Sequence, residues 1–83
     1  MTESERAFLK SQVGQVVALE TVQGDRLLAR ILFVFDEGET PDIFCLEVEP
    51  KSGTYVQKGT AGHSILLADI VSAQPPPQNR ESD

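Results

Sequence analysis

One histidine, one cysteine, one tyrosine and a handful of unevenly placed charges are what this 83-residue chain offers to chemistry. His63, between Gly62 and Ser64, is able to hydrogen-bond a base or a phosphate and to titrate near neutrality. A solvent-facing loop histidine without a role is the commoner case. Arg26, Arg30, Lys51 and Lys58 are the candidate contacts for phosphate, although pairing across strands with Glu20, Glu47 or Glu49 would occupy them without any ligand. Asp36, Glu37, Glu39 and Asp42 crowd one short stretch, and such clusters can hold calcium. Their spacing is not that of an EF-hand loop, and no apolar pocket adjoins them to raise one carboxyl pKa for acid catalysis. A solvated loop is the simpler reading. Tyr55 could stack on a base, but a lone tyrosine on a hairpin more often packs. With no nucleophile–base pair, metal set or phosphate loop, an enzyme, a metal and a cofactor are not expected.

Charge narrows the partners. Seven basic residues against thirteen acidic ones leave a net charge of −6, which opposes nonspecific binding to nucleic acid or to an anionic membrane. The single cysteine excludes an internal disulfide and a cysteine-based zinc site. Cys45 in its apolar run reads as a small buried hydrophobe in a reducing compartment. The first ten residues, MTESERAFLK, contain no hydrophobic signal core. No apolar run approaches the ~20 residues of a membrane span. The expected location is therefore the cytoplasm.

The elements that must carry these residues are mostly strands. Thr2 or Ser4 caps a short helix over residues 3–12, with Glu3 and Glu5 in its first turn and Lys10 near its end, where the dipole favours each charge. Gly14 stops it. Strands are expected over 15–22, 26–35, 43–49, 54–57, 64–67 and 71–74, with turns at Gln23-Gly24-Asp25 and Pro50-Lys51-Ser52-Gly53. One tight helical turn falls at Ala68-Asp69-Ile70. Pro75, Pro76 and Pro77 end the fold, and residues 75–83 form a polar, disordered tail.

The central strand, GDRLLARILFVFD, organises the rest. Alternation puts Leu27, Ala29, Ile31, Phe33 and Phe35 on a core face, and Arg26, Leu28, Arg30, Leu32 and Val34 on the other. In the third strand Phe44, Leu46 and Val48 face one way, and Cys45, Glu47 and Glu49 the other, wetter way. A chain this short buries only ~60–65% of its unfolded surface, so self-association would help it. Leu28, Leu32 and Val34 are the candidate subunit contacts, since exposing them costs ~25 cal/mol per Å². A mainly β fold follows: residues 1–74 as an SH3-like or Sm-like five-stranded small barrel with an N-terminal α-helix.

The order of elements resembles the Sm/Lsm-like family, which includes the Hfq-like RNA chaperones. Leu19 with Gly24 stands where that family has its first hairpin motif, Ala29 where a strand-bending glycine is usual, and Asp36 at the strand end. The segment GHSILLADIVSA, residues 62–73, resembles its second motif. Where uridine-binding members carry an aromatic and an Asn after the Asp, this chain has Glu37, Gly38, Glu39 and Thr40. The basic residue of the second motif is replaced by His63. The resemblance implies a homo-oligomer, with a ring as one form, and RNA as a ligand. Arg30, Lys58 and His63 are then the candidate nucleic-acid contacts. The competing expectation is an acidic protein–protein interaction module or structural subunit that binds no nucleic acid.

Overall fold

The computed structural model describes residues 2–59 and 62–76. Helix α1, Glu3–Ser11, is followed by strands β1, Val16–Thr21; β2, Arg26–Phe35; β3, Asp42–Lys51; β4, Thr54–Gln57; β5, His63–Leu66; and β6, Ile70–Gln74. A single 3-10 turn, Leu67–Asp69, joins β5 to β6. The fold is mainly β with one N-terminal helix.

Local chemistry explains the boundaries. Thr2 caps α1 through a reciprocal pair: its hydroxyl accepts from the Glu5 amide, and the Glu5 carboxylate accepts from the Thr2 amide. Two otherwise unpaired amides are thereby satisfied. The turn between β3 and β4 has positive φ at both Ser52 (54°) and Gly53 (81°), the twist that a tight antiparallel hairpin needs. Beside β5, the ring of Phe44 lies where a Cβ on Gly62 would stand. Any larger residue there must push that ring aside.

All strand pairs are antiparallel, in the order β4-β3-β2-β1-β6, with β5 also pairing β3. The expected five-stranded closed barrel is thus corrected to six strands in an open sheet. The reason is local: the chain between β4 and β5 breaks the fourth strand, so each piece pairs with a different half of β3. Residues 48–51 of β3 meet β4, and residues 42–45 meet β5. Among the described residues β6 is paired only to β1. The expectation of a disordered tail falls, from residue 77 onward, outside the described residues.

The core lies on one side of the sheet. Val17, Leu19, Ala29, Ile31, Ile43, Cys45, Leu67, Ile70 and Ala73 are buried there, and Leu9 closes it from α1, which packs on β6 and β2. No polar or charged residue is buried among those described.

Facings in β2 and in β3 differ from the sequence reading, and in β2 a shift of register is the reason. Between Ile31 and Phe33 the β2–β3 register shifts: Ile31 is opposite Cys45, yet Phe33 is opposite Phe44. Leu32 is an extra residue, a β-bulge, and it reverses inside and outside for everything beyond it. Val34, expected outside, packs against the core opposite Ile43. Phe33 and Phe35, expected inside, stand 59% and 57% exposed. In β3 Ile43 and Cys45 are fully buried, while on the other flank Phe44 and Leu46 are half-buried and Val48 alone is buried.

Candidate interaction surfaces

The three candidate nucleic-acid contacts do not converge. His63 is opposite Cys45, whereas Arg30 is opposite Leu46, the neighbouring residue of β3. Adjacent strand residues point to opposite faces, so Arg30 looks away from His63. Its guanidinium donates to the Gly14 carbonyl at 3.2 Å. Lys58 and His63 do come together, on Glu47. Lys58 Nζ lies 3.6 Å from one carboxylate oxygen and His63 Nε2 4.0 Å from the other. The Lys58 amide also donates to the Glu47 carbonyl at 2.8 Å, which holds the start of the 58–62 stretch against β3. Of the other cations, Arg26 lies 3.9 Å from Glu20, its partner across β1 and β2. Exposed pairs of this kind contribute at most about 1 kcal/mol. Their effect is to neutralise one another locally.

Tyr55 is half-buried opposite Pro50. Leu28 lines a shallow cavity of about 630 Å³ with Leu27, Val48 and Pro50, rimmed by Glu20 and Arg26. Leu32 is half-buried at the bulge.

The acidic loop divides into one tied residue and several free ones. Asp36 accepts from Arg6 at 3.1 Å and also pairs with Lys10, so two cations on one face of α1 grip the end of β2. The Lys10 hydrogen bond, reinforced by the charges of Lys10 and Arg6, holds the Asp36 carboxyl below the usual aspartate range. A lowered folded-state pKa gives stability that is complete above the unfolded value and is lost as pH falls through the folded one. Acidification below the ordinary aspartate range is therefore expected to loosen α1 modestly before the sheet melts. Helical circular dichroism followed against pH checks this, and Asp36→Asn should reduce that step, leaving the part carried by the Glu5 cap. Glu37 and Glu39 are exposed and have no cation within ion-pair distance among the described residues. No group of three or more potential metal ligands occurs among the described residues.

Cys45 is fully buried. Desolvation, helped by the charge of Glu47, pushes its thiol up to about 11. A thiolate is the reactive form, so this sulfur is inert packing.

The surface that sequence reasoning missed is the one the bulge creates. Phe33 and Phe35 stack with ring centroids 5.9 Å apart and an interplanar angle of 28°. On the same flank Phe44 pairs between Phe33 and Ser64, and Asp42 between Phe35 and Leu66. Leu66 is 40% exposed. The only trace of this in the sequence is that residues 31–35 are apolar at every position, so alternation there has no polar marker. No family model, curated protein or solved structure compared with the chain matches it.

Proposed function

We propose that this chain is a non-enzymatic binding module of the cytoplasm, Sm-like in its order of elements, that self-associates through the edges of its open sheet. One observation carries the reading: among the described residues the sheet is left open, with β6 bonded on one side only and β5 likewise. Unpaired strand edges are templates for another chain, and head-to-tail pairing of two different edges closes rings when the rotation permits. Counting β4 and β5 as one interrupted strand along β3 leaves five, with the 3-10 turn before the last, in keeping with the Sm/Lsm-like resemblance. The purely apolar core supports a module that works through its surface.

Light scattering at micromolar concentration tests the assembly. The expected result is a particle several chains in mass, reduced to a single chain by Ser64→Lys with Val71→Lys, which place charge on the two edges. A single-chain mass for the unaltered protein rejects the reading.

For the ligand, the resemblance implies RNA, and Lys58 with His63 is the pair of side chains able to meet a phosphate. A second reading, an acidic module that binds protein, is favoured by the partners already held by Arg30, Lys58 and His63 and by the net charge of −6. Polarisation of a short labelled oligonucleotide at low salt separates the two. A salt-sensitive shift lost in Lys58→Glu supports RNA, and no shift supports protein.

A further inference from the structure

We infer that the flank of β2, β3 and β5 formed by Phe33, Phe35, Phe44 and Leu66 is a docking platform for a basic amphipathic helix of another protein. The inference rests on the protein-binding reading above and names the partner.

Phe33 and Phe35 are among the most exposed large apolar side chains of those described, at 59% and 57%. They sit side by side on a strand, stacked, with few rotamers to lose on binding. Rigid aromatic pairs are the side chains that anchor interfaces most strongly. Three strands about 4.8 Å apart give a platform roughly 10 Å wide, close to the diameter of one helix. Along β2, Phe33 and Phe35 are about 7 Å apart, near the spacing of helical residues one turn apart.

The rim sets the sign of the partner. Glu37 and Glu39 come two and four residues after Phe35, and Asp42 lies between Phe35 and Leu66. None of the three has a cation within ion-pair distance among the described residues; Arg6 and Lys10 are spent on Asp36. Lysines or arginines flanking the apolar stripe of an incoming helix would meet these carboxylates and lie over the ring faces. A second copy of this chain fits poorly, because face-to-face packing would bring two acidic loops together. An RNA backbone meets the same repulsion.

The probe is a labelled amphipathic peptide of about 18 residues built from Leu and Lys at helical spacing, with a Leu/Glu peptide as counterpart. The expected result is saturable polarisation by the Leu/Lys peptide alone, weakened about tenfold by Phe33→Ser with Phe35→Ser. Glu37→Lys with Glu39→Lys, which leaves the core untouched, should weaken it comparably. Val22→Ser, an exposed apolar site elsewhere, should not. Binding unchanged in both platform variants, or equal binding of the Leu/Glu peptide, overturns the platform while leaving a protein-binding module standing. No binding of the Leu/Lys peptide overturns the platform, and tight oligonucleotide binding beside it overturns the protein-binding reading as well. A fall in particle mass on Phe33→Ser with Phe35→Ser assigns the platform to a second copy and overturns the inference.

Discussion

Ile31→Ala is expected to cost about 3 kcal/mol, within the roughly 2–5 kcal/mol range for emptying a buried aliphatic site. For a domain whose total stability is on the order of 4–12 kcal/mol, that is enough to bring the folded state near its limit. Ile31 is fully buried at the centre of the apolar cluster. Its amide donates to the Gln15 carbonyl at 3.0 Å and its carbonyl accepts from the Gly14 amide at 2.7 Å. The side chain therefore fills the core at the point where the segment leaving α1 is stitched to β2. Leu32→Ala is the control, since Leu32 is the half-buried extra residue next door and its truncation should cost under about 1.5 kcal/mol. Urea denaturation of both variants measures the gap. Equal midpoints for the two would mean that the core is not where the register puts it.

The second large effect is expected from Leu9→Ala, about 2–4 kcal/mol by the same cavity argument. Leu9 is the one fully buried residue of α1, and α1 is too short at nine residues to persist in water unaided. Without that anchor, the helix keeps only half-buried Phe8 and the grip of Arg6 and Lys10 on Asp36. Surface pairs of that kind do not replace a buried side chain. Hydrogen exchange should show the amides of α1 losing protection while those of β2 and β3 keep theirs. Uniform loss across the chain would mean that helix and sheet melt as one unit, and unchanged protection in α1 would mean that Leu9 is no anchor.

Much of the fold is legible in the sequence because local chemistry agrees with tertiary demand. Thr2, Glu5 and Lys10 announce α1, and Gln23-Gly24-Asp25 and Ser52-Gly53 announce hairpins. The β-branched and aliphatic residues of 15–22 announce β1. What is not legible is parity. Residues 31–35 are apolar without exception, so nothing marks which of them leaves the ladder; the shift is settled by pairing with β3, a partner distant in sequence. The same ambiguity hid the dry side of β3, where Phe44 looks like core by size and Ile43 with Cys45 is core by position. Separate strands at 54–57 and 64–67 were legible, but nothing in the sequence states that both pair with one neighbour, β3. The candidate contacts Arg30, Lys58 and His63 were chosen by type, and type does not reveal that a carbonyl or a carboxylate already holds each of them.

The extra residue at Leu32 also means that the interior and the aromatic flank answer to different constraints. Deleting Leu32 would restore a regular ladder and still leave Val34 facing in and Phe33 and Phe35 facing out. Swapping Phe33 or Phe35 for polar residues would alter what the molecule can adhere to without touching what keeps it folded. A lineage carrying this strand is free to change its associates cheaply, one outward side chain at a time, while the hidden half stays constant.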